Sequence, residues 1–338
     1  MAKRKESKEI SRKIRQQEKE KKRQIDLANR MLVPAPKKTA KSIGLLSFDP
    51  AGAFRFEGGR WVKVYEVTGN PSEIAEAATK LQSRVRIVHM IVPEKDGNAY
   101  VKTYVSLIGY GDIYEDIRLA FEADERIMQD TVGLRSLIVD EAVSVITKLN
   151  GINKEPFSYA SFVRSRSDLS KKIFPDVTAK RDGFSVNGQW GESFFVMEYP
   201  SVVTNQVFMH LKELGCPVYM SFDLYSISVL DQENYNRTLE RKYCRSFSKD
   251  SYKPFMNVSC AVTILCDSTD AREIIKETVT TLFNRASYVI APCFGAQREA
   301  YLSATSLGLV DYRNFKNVPL DTVKEIARRE YVGNKDEV

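Results

Sequence analysis

Histidine is nearly absent from this 338-residue chain: the two present, His89 and His210, do not stand in an H-E-x-x-H setting, which removes the commonest helical zinc-hydrolase pattern. Cysteine is sparse as well. The five residues Cys216, Cys244, Cys260, Cys266 and Cys293 are odd in number and none are spaced C-x-x-C, so neither a disulfide framework nor a zinc knuckle is indicated. Buried thiols in a reducing compartment are expected instead. No glycine is followed by lysine, which excludes the G-x-x-x-x-G-K-[ST] loop that cradles nucleotide phosphates, and no G-x-S-x-G nucleophile elbow occurs. No apolar run approaches the roughly 20 residues needed to cross a bilayer. The opening Met1-Ala2-Lys3-Arg4-Lys5 leads into more charge rather than the apolar stretch of a secretory signal, so a cytoplasmic location is expected.

The charge that is present is unevenly spread. The chain carries a net +7, yet Met1 to Lys41 hold 15 Lys and Arg against 5 Asp and Glu, leaving 36 basic and 39 acidic residues for the remainder. The basic character therefore belongs to an amino-terminal tail, and attraction to polyanions should be a property of that tail. Lys5 to about Met31 is rich in helix-forming Lys, Arg, Glu and Gln, with the pairs Glu9/Lys13 and Glu18/Lys22 four apart, which predicts a helix. Ile10, Ile14, Ile25 and Leu27 are too few for a sustained core-facing stripe, so the helix should stand in solvent or dock on a partner. Its candidate anionic-surface residues are Lys3, Arg4, Lys5, Lys8, Arg12, Lys13, Arg15, Lys19, Lys21, Lys22 and Arg23. Either lipid or DNA would satisfy them, since neither counterion release nor attraction to acidic headgroups needs a particular sequence. Val33-Pro34-Ala35-Pro36 breaks the helix and is expected as a linker.

Beyond the tail, periodicity predicts an α+β protein of two subdomains, residues 42–150 and 151–338. In the first, strands are expected at Ile43–Phe48, Phe54–Phe56, Trp61–Val67, Val85–Val92 and Tyr100–Ile108. Helices are expected at about 70–82, 112–129 and 134–149. The second repeats the order, with strands at Phe194–Tyr199, Val218–Leu230, Val258–Leu265 and Tyr288–Ile290, and helices at Thr204–Leu214, from about Asp231, and at Ala271–Phe283. Residues 61–92 and 194–224 share strand, polar turn, helix, break and strand, a duplicated split β-α-β plan of the ferredoxin-like kind with mixed or antiparallel sheets.

Several chemistry-like patterns dissolve on inspection. Leu137-Ile138-Val139-Asp140-Glu141 imitates the magnesium-holding motif of nucleotide motors, but Leu134, Leu137, Ile138, Val145, Ile146 and Leu149 fit one face of a helix. Gly109-Tyr110-Gly111 supplies two glycines of a dinucleotide fingerprint, with Tyr114 where the third belongs, and is expected to be a tight turn. Glu198 and Asp223 are acids on adjacent predicted elements without a defined pairing. The residues support no enzyme, and no catalytic, cofactor-binding or metal-binding side chain is assigned.

Three stretches carry a family resemblance: IGLLSFDPAGAFRFEGGRWVKVYEVTG from Ile43 to Gly69, SFVRSRSDLSKKIFPDV followed by DGFSVNGQWGESFFVMEYP between Ser161 and Pro200, and GAQREAYLSATSLG from Gly295 to Gly308. In this order they resemble the amino-terminal region of the large conjugal-transfer ATPases of type IV secretion, the CagE/TrbE/VirB class, over about Ser42 to Val332. Ser306 stands where that family has a proline before Leu307-Gly308, and no Walker residue can be carried over. The resemblance implies a non-catalytic docking and assembly component at the inner face of the cell membrane. Its implied partners are inner-membrane secretion proteins and a separate ATPase motor subunit, within an oligomeric machine. A fragment of a full-length conjugal ATPase, or a DNA-binding accessory protein acting through its tail, are the alternatives.

Overall fold

The computed structural model describes residues 2–69, 73–94, 98–152, 158, 168–200, 203, 207, 210–243 and 254–327, without the side chains of residues 2–9, 229, 239 and 243. It is a mixed α+β fold built on a large antiparallel sheet, with fourteen strands among these residues. The tail forms helix α1 (Ala2–Ala28), and the next elements are β1 (Val33–Pro34), α2 (Lys37–Ile43), β2 (Leu45–Phe48) and β3 (Ala53–Phe56). The first half continues with β4 (Arg60–Val67), α3 (Ile74–Ala78), β5 (Arg84–Pro93), β6 (Ala99–Tyr110), α4 (Tyr114–Thr131), β7 (Leu134–Ser136) and α5 (Val139–Leu149). The second half contains α6 (Ser170–Ile173), β8 (Val177–Ala179), β9 (Phe184–Val186), β10 (Gln189–Glu198), β11 (Val218–Ser226), α7 (Val229–Tyr243), β12 (Phe255–Cys266) and α8 (Thr269–Arg285). It closes with β13 (Val289–Pro292), α9 (Gln297–Thr305), β14 (Lys316–Pro319) and α10 (Leu320–Ala327).

Two groups of four strands, β7-β4-β6-β5 and β13-β10-β12-β11, have all their neighbours antiparallel. They meet edge to edge where β5 pairs β11, from Ile91↔Val218 to Val85↔Leu224. The strand edge of one group is thereby closed by the matching strand of the other, and a single sheet runs through both halves. Side chains alternate across it. Trp61, Tyr65, Val85, Ile87, Val105, Leu107, Met220 and Phe222 face one core with α3, α4, α8 and α10. Val62, Val64, Val88, Ile108, Tyr219 and Leu265 face the other with α5, α6 and α9. Burial on both faces explains why β5, Arg-Val-Arg-Ile-Val-His-Met-Ile-Val-Pro, has no solvent-facing polar side, and even its alternating Arg84 and Arg86 are buried.

Several expectations change. The stretch taken for a linker is packed: Val33 and Pro34 pair with Phe48 and Ser47, and buried Thr39 in α2 accepts through Oγ1 from Leu169 N at 2.8 Å. Proline is tolerated there because β1 is an edge strand. Leu134–Ser136, read as helical, is strand β7 paired to β4, because Gly133, at φ 74°, terminates the preceding chain turn and the free edge of β4 captures the next three residues. Helix α5 starts only at Val139, where Glu141 Oε2 accepts from Ile138 N at 3.2 Å. That acid of the motor-like motif is a helix cap. Of the helix expected at about 70–82, residues 70–72 lie outside the described residues and α3 spans Ile74–Ala78; much of the expected helix Thr204–Leu214 also lies outside them, and its end is the 3-10 turn Leu211–Leu214.

Gly109 and Gly111 do not make a tight turn. Both flank Tyr110 where β6 ends, and a Cβ on them would lie 3.2 Å from the Phe121 ring and 3.0 Å from Ile117 Cδ1, so their role is to let α4 approach the strand. Gly52, in the β2–β3 turn, is required twice over: its φ is 109°, and a Cβ would fall 2.1 Å from the Leu137 carbonyl oxygen.

Candidate functional site

The candidate surface is α1, 27 residues long and therefore about 40 Å from end to end. It is anchored at its carboxy-terminal end. Ile25 is half-buried, Lys21 pairs with Asp112 at 3.5 Å, and buried Asn29 donates from Nδ2 to Asp112 O and accepts through Oδ1 from Tyr114 N, both at 2.8 Å. Ile113, the residue before α4, has no side-chain cap to offer, so Asn29 caps that helix across 85 residues of sequence.

Helical geometry then sorts the basic residues. With about 100° of rotation per residue, the positions of Arg4, Lys5, Lys8, Arg12, Arg15, Lys19, Lys22 and Arg23 fall in one sector about 100° wide. Asp26 is the one acid inside it, whereas Glu6, Glu9, Glu18 and Glu20 fall outside it, as do Lys3, Lys13 and Lys21. Ile10, Ile14 and Ile25 share a different sector, continuous with the anchoring face. Arg12, Lys13, Arg15, Lys19, Lys21, Lys22 and Arg23 are all exposed. The side chains of Lys3, Arg4, Lys5 and Lys8 lie outside those described. Chemically, this sector offers guanidinium and ammonium groups to phosphate-like oxygens along one line, with no enclosed pocket to select among ligands.

A second concentration of charge is sealed inside the sheet, at the β5–β11 seam. Arg86 Nε and Nη2 form a fork on Asp223 at 2.8 to 3.2 Å, while Nη1 donates to Ser303 O at 3.1 Å and Val310 O at 3.0 Å. Arg84 lies 3.4 Å from the same aspartate and donates to Asp311 at 3.2 Å. Arg60 donates to the carbonyls of Gly308 and Leu309, and Ser106 Oγ donates to Leu307 O at 2.6 Å. Burial would lower the Arg86 pKa, but Asp223 and Asp311 reverse this and hold it above its usual value. Burial lowers Arg60 to about 10, with Asp311 opposing and Arg86 and Arg84 reinforcing. These contacts tie α9 and the turn after it to the centre of the sheet.

The third family-like stretch is thus a structural clamp. Gln297, fully buried, accepts from Ser193 N at 2.7 Å and returns a bond to Ser193 O at 3.1 Å, imitating a neighbouring strand. Ser306 Oγ accepts from Val310 N at 2.9 Å, a capping bond that the proline of the resembled family could not make.

Of the remaining singled-out residues, His89 is buried, with Nδ1 2.8 Å from Thr103 Oγ1, and His210 contacts Glu213 at 2.8 Å on the surface. Glu198 and Asp223 are not brought together: β12 separates their strands, and Glu198 is exposed. Cys216, Cys260, Cys266 and Cys293 are buried and form no disulfide, while Cys244 lies outside the described residues. Reading the sequence missed Glu192, fully buried beneath α8, where burial pushes its carboxyl up to about 7 against the pull of Lys276, 3.4 Å away, and of Arg272. It also missed the seam, although a signal existed: Arg84 and Arg86 stand two apart in an apolar strand, and Asp223 interrupts another.

Among the described residues no helix is long and apolar enough to cross a membrane, and no group of three or more His, Cys, Asp or Glu could hold a metal ion. No protein-family model matches the chain, and no curated protein matches it.

Proposed function

We propose that this chain is a non-catalytic docking and assembly component of a bacterial conjugation or type IV secretion apparatus, working in the cytoplasm at the inner face of the cell membrane. In this reading the globular body is a pair of ferredoxin-like split β-α-β units that contacts inner-membrane proteins and an ATPase motor subunit in an oligomeric machine. The strand orders β7-β4-β6-β5 and β13-β10-β12-β11, each with helical chain after the first and third strand in sequence, support the paired-unit description. The ordered run of family-like stretches supports the setting.

The observation that carries the proposal is the sorting of α1 into one basic sector beside its anchoring face. Near an anionic bilayer each such residue contributes on the order of 1 kcal/mol, so the five described members Arg12, Arg15, Lys19, Lys22 and Arg23, less the opposing charge of Asp26, supply about 4 kcal/mol. That is enough for reversible attachment and too little for permanent anchoring. The chain should sediment with phosphatidylserine-containing vesicles and not with phosphatidylcholine vesicles, and replacing those five residues by Gln, which leaves Arg4, Lys5 and Lys8, should strongly weaken sedimentation. Unchanged sedimentation of the variant would refute the role of the arm. Duplex DNA that displaces the vesicles with a steep, arm-dependent salt slope would favour the accessory DNA-binding reading instead. Docking is tested separately, by co-purification with the motor ATPase of the same genetic element; failure with both partners folded refutes it.

A further inference from the structure

Cys216 and Cys266 are 50 positions apart in sequence and adjacent in space. The β11–β12 ladder pairs Val218 with Ile264, and Leu265 N donates to Pro217 O at 3.0 Å just beyond it. Continued by one residue, this register sets Cys216 directly opposite Cys266. Because Pro217 and Leu265 are the hydrogen-bonded pair, the two cysteines occupy a non-hydrogen-bonded position, where opposed Cα atoms lie ~4.5 Å apart. A disulfide spans roughly 4.4 to 6.8 Å between Cα atoms, so the backbone is already suited to one. Both side chains belong to the same core cluster, together with Val279 and Phe283 of α8.

The two thiols interact with each other, and this mutual interaction holds Cys266 below the usual thiol pKa and Cys216 above it. Burial and Asp267 work against the Cys266 thiolate, and Arg272 favours it. Cys266 also stands two residues before Ser268, the N-cap of α8, where the amide ends of a helix stabilise a thiolate.

We propose that Cys216 and Cys266 form a covalent modification site, a dithiol that a small-molecule disulfide of the glutathione class oxidises to an intramolecular cross-strand disulfide. The Cys266 thiolate attacks one sulfur of the oxidant, forming a mixed disulfide and expelling one small thiolate. Cys216 then loses its proton and attacks the Cys266 sulfur, closing the protein disulfide and expelling the second small thiolate. Two protein thiols are oxidised, and one small disulfide is reduced to two thiols.

The test uses the full chain, incubated natively with oxidised glutathione, then quenched, denatured and alkylated. Of the five thiols, Cys216 and Cys266 should be lost together, with a mass decrease of about 2 Da before alkylation and a 216–266 cross-linked peptide. Cys216→Ser should instead accumulate glutathione on Cys266, and absence of that adduct would overturn the order of attack. Wild-type protein in which both cysteines stay open to alkylation, or in which the cross-link joins a different pair, overturns the site.

Discussion

Replacing Asp223 with Asn would place the structural argument at its greatest risk. The substitution keeps the shape of the side chain and removes one negative charge from a buried cluster in which Arg84 and Arg86 are 2% and 1% exposed. Asp223 accepts the Arg86 fork and lies 3.4 Å from Arg84, so its loss leaves Asp311, itself 15% exposed, as the acid facing both guanidinium groups. Breaking a buried pair by deleting one partner costs about 3 to 5 kcal/mol, chiefly because the surviving charge cannot return to water. Against a typical total stability of about 5 to 15 kcal/mol, such a loss moves the urea midpoint far down or unfolds the chain outright. Equilibrium urea denaturation followed by far-UV circular dichroism measures it. The double variant Arg86→Met with Asp223→Leu provides the internal comparison, since it removes one of the two guanidinium charges that would be stranded and leaves Asp311 to Arg84. It should be more stable than Asp223→Asn. An Asp223→Asn protein within about 1 kcal/mol of wild type would show that water reaches the seam and that the charge-burial reasoning is wrong.

Two further outcomes follow from the same structure. Glu192 has a folded-state pKa of about 7, above the ordinary 4.5, so its contribution to stability is full below about pH 4.5 and is lost as pH rises through about 7. Glu192→Gln should therefore match wild type near pH 5 and exceed it by roughly 1 to 3 kcal/mol at pH 8, and a constant difference across that range in thermal or urea melts would refute the shift. Gly52→Ala should cost at least about 2 kcal/mol, because the residue sits at φ 109° and the new Cβ meets the Leu137 carbonyl; a neutral effect would mean that the β2–β3 turn does not pack against the start of α5.

Local pattern made much of the fold legible. Trp61–Val67 and Val258–Leu265 announce themselves by β-branched and aromatic content, and the helix expected at Ala271–Phe283 by helical spacing, because these signals live within a few residues of one another; the structure extends that helix to Thr269–Arg285. Leu134–Ser136 misled for the same reason. Apolar spacing there continues the helix, and only the unpaired edge of β4, some 70 residues earlier in the chain, turns it into a strand. The glycines of Gly109-Tyr110-Gly111 were visible, but their purpose depends on the Phe121 and Ile117 side chains that cross above them. Equally, Arg86 and Asp223 were each readable as charges in apolar strands, while their partnership across 137 residues was not.

The sequence by itself determined the α+β class, the concentration of positive charge in the first 41 residues and the sector that charge occupies, since a helix repeats every 3.6 residues whatever surrounds it. Tertiary structure alone decided that β5 and β11 join the halves into one sheet, that the arginines of one half meet an aspartate of the other, and that Cys216 lies against Cys266. Strand register is a property of pairs of segments, and no single segment contains it.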